Sequence, residues 1–479
     1  MDFRIVLKTL GQLLIIEAVS LIAPLGISLV YHESDTVAFL ITIVITSLVG
    51  LVLTLNGGKE GNIGYKEGFM IVGIGWLLVS LFGSVPFMLA GTFESFIDAF
   101  FESVSGFTTT GATVLTNIEV QPHGILFWRA FTQWLGGMGI LVFTLAMLPA
   151  MGVSSVRIFQ AESPGPNQGT IVPKITKTAL FLYIIYFIFT LLEIISLKIA
   201  GMPLFESVTH SFATMGTGGY SIKNNSIGFY NKPSYEWIII FYMLLSGANF
   251  TLYYDALVGN FKTLIKDKEF QLYIIISIIS ILLIILNITD SWKDITLSFR
   301  QATFQVVSII STTGFTSLDY SIWPDFSKII LLILMFIGGC AGSTAGAIKN
   351  IRLLIIFKYI KREFYKLVHP KSVITIQVGD KTIPDNIVHN VIAFVMIYML
   401  IFAGLSVFLV SQSMDLISSI SAAAATLGNV GPGFNLVGPA MNYSNLSTLT
   451  KIILSFAMII GRLEIYTVLI LMAPFFWKY

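Results

Sequence analysis

The chain has little of what a soluble enzyme uses. Only 11% of its 479 residues are charged, against about 25% in an ordinary soluble domain. Its single cysteine, Cys340, excludes an internal disulfide. The five histidines (His32, His123, His210, His369 and His389) are scattered, with no metal-ligand spacing. A membrane enzyme would gather His, Asp or Cys at one depth, and no such cluster is seen. No Gly-Lys-Ser/Thr follows a glycine-rich turn, so a phosphate loop is excluded. The net charge of +2 calls for no nucleic acid, and no covalent cofactor or enzymatic activity is expected.

Apolar sequence is what the chain has in quantity: 55% hydrophobic residues and a mean hydropathy of +0.84. A span takes about 20 apolar residues. Ten segments qualify: 5–30, 37–55, 67–91, 124–150, 175–200, 235–258, 270–288, 327–357, 387–411 and 449–475. The first has a basic start at Arg4 and Lys8, but its apolar stretch is too long for a signal peptide and no small-x-small site follows. With the N-terminus inside, alternation places 19 of the 28 Lys and Arg on the inner side and seven on the outer, leaving Arg129 and Arg462 within spans. That asymmetry fixes the orientation, with both termini cytoplasmic. The inner segment Arg157–Pro173 reads as a flexible loop, and the longest inner loop, Tyr359–Asp385, is too short for a nucleotide-binding domain.

Four stretches between spans are too short or too polar to cross: Glu94–Gly106, Leu204–Ala213, Trp292–Ile310 and Met414–Ala425. Each reads as a half-helix opening to the outside, and each is followed by a small-residue break: "FTTTGAT" (107–113), "FATMGTGG" (212–219), "ISTTGFT" (310–316) and "ATLGNVGPG" (425–433). All four contain Thr-x-Gly: Thr109–Gly111, Thr214–Gly216, Thr312–Gly314 and Thr426–Gly428. One tripeptide is a weak signal. Four copies at the same place in a span pattern make a repeat.

Irregular backbone at membrane depth survives only where it is buried or lines a cavity. Four loops around one axis would surround a pore, where bare carbonyls replace the water shell of a cation. Glycine allows the backbone angles this needs. The C-terminal ends of the half-helices would point partial negative charge at the ion. Glu94, Glu206, Asp290 and Asp415 stand at or before the half-helix starts, where they suit helix N-termini and make the mouth acidic.

These four non-identical repeats, with "SGFTTTGAT", "GNVGPG" and "GRLEIYT", resemble the Trk/Ktr/HKT superfamily of potassium transporters over essentially the whole chain. The two spans before the first repeat make the resemblance one to the TrkH/TrkG type of potassium uptake membrane subunit. It implies an all-α polytopic fold, with two N-terminal spans (1–65) and four pseudo-fourfold repeats of span, pore helix and span around one pore (66–155, 156–262, 263–358 and 359–479). It implies a potassium filter at Thr109, Thr110, Gly111, Thr214, Met215, Gly216, Thr312, Thr313, Gly314, Leu427, Gly428 and Asn429. The metal ion there is the transported potassium. The fourth loop departs from the family, in which Asn often stands where this chain has Gly428, so the oxygens it offers are left open. The resemblance also implies a homodimer in the inner membrane and a cytosolic TrkA-like nucleotide-binding subunit.

Two gate candidates follow. "GGCAGSTAGAIKN" (338–350) interrupts the eighth span with Gly338, Gly339, Gly342, Ser343, Thr344 and Gly346. Small residues for close helix packing are the alternative there; the resemblance implies a gating loop under the filter. Arg462 lies deep in the last span, where a charge faces protein or water. Pairing with Glu464 is geometrically poor, because residues two apart lie on different helix faces. Glu17 and Glu193 are expected to make structural hydrogen bonds or to sit near span ends. Rival functions are a sodium-coupled Ktr-like transporter of the same fold, and a solute carrier with broken helices, which would show two related halves rather than four quarters.

Overall fold

The computed structural model describes residues 2–58, 64–137, 139, 175–289, 295–379 and 381–477. The expected loop Arg157–Pro173, the second half of span 124–150 and Asp290 lie outside the described residues. Among the described residues, six helices are long and apolar enough to cross a membrane: Phe3–Tyr31, Thr36–Leu55, Tyr65–Leu89, Leu180–Ile199, Lys268–Ile288 and Asp385–Ser411. The first two form an N-terminal pair. They approach closely because Gly11 packs on the Gly50 carbonyl and Gly50 on that of Gly11, the small-residue contact that replaces hydrophobic drive in lipid. The other four each open one repeat.

The second helix of the last three repeats behaves differently. Pro233–Ser246 bends by 91° into Phe250–Leu257. Asp325–Ile337 stops at Gly338 and helix resumes at Asn350–Val368. Thr448–Arg462 stops before Tyr466–Met472. In the first repeat the helix is His123–Gly137. The sequence suggests continuous spans with one interruption at 338–350; the structure breaks the sixth and tenth as well. Gly247 faces Tyr273 and Ser311 too closely for any side chain. Glu464 and Ile465 take φ of 54° and 53°, a conformation that ends a helix and strains a β-branched residue. Segment 338–349 contains no helix, so close packing of a continuous helix is not the reason for its glycines.

The half-helices are Phe96–Phe107, Leu204–Met215, Ile295–Ile310 and Leu416–Leu427. Twelve residues rise about 18 Å, roughly half a bilayer core. Pro203 precedes the second, and Asp415 caps the fourth by accepting from Ser418 N. The acid in the first turn of the first is Asp98, not Glu94, because the helix begins two residues later than the apolar pattern suggests. The core of the first repeat packs Phe107 edge-on against Trp128, whose indole donates to the Gly83 carbonyl at 3.0 Å. Among the described residues the departure from an all-α chain is an antiparallel hairpin pairing Ile376–Val378 with Lys381–Ile383.

Candidate functional site

The four half-helices end in the same way. After Phe107, Met215, Ile310 and Leu427 comes one cap residue. The backbone then enters the left-handed region at Thr109, Thr217, Thr312 and Asn429, with φ between 54° and 55°. Two residues on it enters again at Gly111, Gly219, Gly314 and Gly431. The residues between, Thr110, Gly218, Thr313 and Val430, donate their N–H to the carbonyls of Ser105, Ala213, Ser308 and Ala425 at 2.8–2.9 Å. Asn tolerates this conformation; Thr does not do so readily. Three β-branched residues held there are local strain of the kind that gathers at functional sites.

The loops close on one another. A side chain on Gly111 would strike the Gly218 carbonyl oxygen, one on Gly219 that of Thr313, one on Gly314 that of Val430, and one on Gly431 that of Thr110. Each loop therefore abuts the next, and the fourth returns to the first. A cavity of 80 Å³ opens on the side of the outgoing strands, lined in part by Gly111, Gly219, Gly314, Pro432 and Tyr443.

Under the ring, on the half-helix C-terminal side, runs segment 338–349. Thr344 Oγ1 donates to the carbonyls of Met215 (3.1 Å) and Ser246 (3.2 Å). Gly346 N donates to Thr312 Oγ1 at 2.8 Å, and its Cα packs on the Gly428 carbonyl. Arg462 Nη1 donates to Thr344 O at 2.7 Å and to Thr109 Oγ1 at 3.1 Å; its Nη2 donates to the Gly137 carbonyl at 2.7 Å and to that of Gly136. The segment thus meets the second, third and fourth quarters directly and the first through Arg462. It is laced to the break in the sixth span, where Cys340 N donates to Gly247 O and Phe250 N to Gly342 O.

A family model described as TrkH, cation transport protein, matches residues 35–479. The chain belongs to the TrkH family. It is 38% identical to the Trk system potassium uptake protein TrkH of Salmonella typhimurium and to that of Escherichia coli K12, in both cases over all of each chain. It is 34% identical to TrkG of Escherichia coli K12 over 99% of each. The crystal structure of the potassium transporter TrkH from Vibrio parahaemolyticus superposes with a TM-score of 0.90 at 36% identity, covering both chains entirely. This is a multi-pass membrane protein of a transporter family, not an enzyme.

Within this TrkH-family chain, the backbone shows which residues of the four loops are equivalent. Thr109–Gly111 and Thr312–Gly314 occupy equivalent places. Their equivalents are Thr217–Gly219, three residues beyond the expected Thr214–Gly216, and Asn429–Gly431, two residues beyond the expected Leu427–Asn429. Thr214 and Met215 are still helical and Gly216 is the cap, at φ −68°; Leu427 is helical and Gly428 is the cap, at φ −82°. "TMGTGG" holds two consecutive Thr-x-Gly copies about one helical turn apart, and the half-helix runs through the first.

Gln133 and Glu269 are absent from the sequence expectations, and Asn429 and Glu464 make contacts there not expected of them. Gln133 brackets the second loop, donating to Gly218 O (2.7 Å) and accepting from Tyr220 N (2.9 Å). The Asn429 side chain ties the fourth quarter to the first, donating to Thr110 Oγ1 and Met458 O, both at 2.9 Å. Glu269 Oε1 accepts from Ala341 N and Ile351 N. Glu464 binds Lys349 (2.9 Å) and Arg352. The two carboxylates hold the ends of segment 338–349. A polar residue inside an expected span was the available signal for Gln133 and Glu464. Glu17 did not meet its expectation: it is buried beside Gly83, in mid-span, and neither carboxyl oxygen has a hydrogen-bond partner among the described residues. Glu193 is buried beside Thr214.

Proposed function

We propose that this chain takes potassium up across the inner membrane through the ring of four loops. The filter in this reading is Thr109–Gly111, Thr217–Gly219, Thr312–Gly314 and Asn429–Gly431. The observation that carries it is the closed contact of Gly111, Gly219, Gly314 and Gly431 with the neighbouring loops' carbonyls. Glycine at these places leaves the axis free for an ion and lets backbone oxygens stand in for its water, a cation being too costly to strip bare. The relatives are potassium uptake proteins, which supports potassium as the ion.

Segment 338–349, with Gly338, Gly339, Gly342, Ser343, Thr344 and Gly346, is the gate in this reading, and Arg462 its charge. The ring accounts for selection and the segment for interruption. Among the described residues there is no module to drive or time the gate. Passage runs down the gradient and the membrane potential, about 2.3 kcal/mol per charge per 100 mV. Regulation falls to a cytosolic nucleotide-binding partner of the TrkA kind, docked on a homodimer whose termini face the cytoplasm. The basic inner loops suit such docking. Potassium uptake in a transport-deficient cell, with sodium and rubidium in competition, tests the reading. The wild-type chain is expected to complement, and Gly219→Ser to lose potassium preference. Full preference in Gly219→Ser removes the assignment of the second quarter.

A further inference from the structure

Behind the ring, the four quarters differ at one position. Glu102, His210, Gln305 and Ala422 each stand five places before the last residue of their half-helix. This is the place from which a side chain reaches the strand leaving its own loop. His210 Nε2 meets Ser221 Oγ at 3.0 Å. Gln305 Nε2 donates to Ser317 Oγ at 3.2 Å. Ala422 has nothing to offer, and the neighbouring Ser421 accepts from Phe434 N instead.

The first quarter alone carries a charge there, and its contacts reach further. Glu102 is fully buried and pairs at 2.8 Å with Arg129, which is 1% exposed. Its carboxylate accepts from Thr113 Oγ1 at 2.8 and 3.0 Å and from Val114 N at 3.0 Å, just past Gly111. Arg129 crosses to the next quarter. It donates to the Ser221 carbonyl at 3.1 Å and lies 4.2 Å from the centre of the Tyr220 ring. The Tyr220 hydroxyl returns the link by donating to the Glu102 carbonyl at 2.9 Å. One buried ion pair thus sets the distance between the outgoing strands of the first and second loops.

We infer that Glu102 and Arg129 are positioning residues for ion selection, fixing the spacing of Gly111 against Gly219. The inference rests on the reading of the four loops as the filter. Neither side chain touches the ion; both act through backbone. A buried charge pair is a weak way to add stability, since desolvation offsets its attraction. What it does supply is fixed geometry: two guanidinium N–H groups converge on Oε1 while Thr113 and Val114 donate to Oε2, so charge-assisted bonds hold two strands to one separation. Hydroxyl-to-imidazole or amide contacts, as in the second and third quarters, allow more play.

The test uses the full-length chain in proteoliposomes, with potassium, rubidium and sodium as probes. Glu102→Gln keeps the shape and removes the charge. It is expected to lower the potassium-over-sodium preference roughly 10-fold, the scale on which outer-shell partners tune a bound ion. It is also expected to abolish the extra thermal protection that potassium gives over sodium. Glu102→Asp is expected to recover part of both. Thr113→Val removes the hydroxyl that donates to Glu102 and accepts from Arg129 Nη2 at 3.3 Å while leaving both charges, and so serves if Glu102→Gln does not fold; a smaller shift in the same direction is expected. Wild-type preference in these variants, alongside lost preference in Gly111→Ser, overturns the inference and leaves the filter reading standing. Wild-type preference in Gly111→Ser as well removes the filter reading itself.

Discussion

Arg462 is the residue whose charge can be separated from its bonds. Its guanidinium holds Thr344 O, Thr109 Oγ1 and the Gly136 and Gly137 carbonyls. A cation touching the same Thr109 hydroxyl would stand about 6 Å from that charge. At an effective dielectric of about 20, repulsion at that distance is ~3 kcal/mol, or about 100-fold in a rate. Arg462→Gln removes the charge and keeps a donor for Thr344 O. Arg462→Lys keeps the charge and loses the fork. Rubidium-86 flux into proteoliposomes, without any regulatory partner, reads both. The glutamine variant is expected to leak faster, up to about 100-fold, while the lysine variant stays near wild type. Equal flux in all three proteins would refute the electrostatic reading. A leak in both variants of the same size would mean that the fork geometry, and not the charge, closes the path.

Two further outcomes follow from the same contacts. Glu464→Gln leaves Lys349 and Arg352 without the carboxylate they share; thermal unfolding in detergent is expected to report a loss of about 3 kcal/mol, the scale for breaking a buried pair, and flux at rest to rise as segment 338–349 loosens. Asp415→Ala removes the cap on Ser418 N and is expected to lower stability by about 1 kcal/mol, with Asp415→Asn close to wild type. Burial raises the Asp415 carboxyl, but its bonds to Ser418 outweigh that and hold it below the usual aspartate range; its contribution is therefore present at neutral pH and fades as pH falls below about 4, which a pH series of unfolding temperatures against Asp415→Asn checks.

Much of this architecture is written in local pattern. Length of apolar run separates the six unbroken spans from the half-helices, because a bilayer sets one length scale for every crossing. The recurrence of Thr-x-Gly after each half-helix locates the four loops to within a helical turn. Register within the turn is not local. Whether Gly216 or Gly219 meets the neighbouring loop depends on where the half-helix stops, and Thr214 and Met215 are acceptable in either state. The breaks in the sixth and tenth spans were hidden for a related reason. "SGAN" and "GRLEI" carry one glycine each, which a helix tolerates, and they break only because Gly247, Glu464 and Ile465 meet partners distant in sequence. Pairings such as Glu102 with Arg129, or Asn429 with Thr110, join residues whose proximity is set by the closed ring alone.

The ring itself shows why four unlike loops serve where four identical ones would be simpler. A symmetric ring can be braced only by contacts repeated four times. Here each left-handed residue is held by a different neighbour: Thr109 by Arg462, Thr217 by its own bond to the Gly216 carbonyl, Thr312 by Gly346 N, and Asn429 by its side-chain bonds to Thr110 and Met458. Two of the four holds, at Thr109 and Thr312, come from or lead into segment 338–349. The strain stored at a β-branched residue in this conformation, on the order of 1–3 kcal/mol, is thus held at two quarters by contacts that come from or lead into segment 338–349. Displacing that element removes a bond from Thr312 directly, and from Thr109 once Arg462 loses Thr344. Ring and segment are coupled through those two threonines, and the segment also touches the second quarter through Thr344 on the Met215 carbonyl and the fourth through Gly346 against the Gly428 carbonyl.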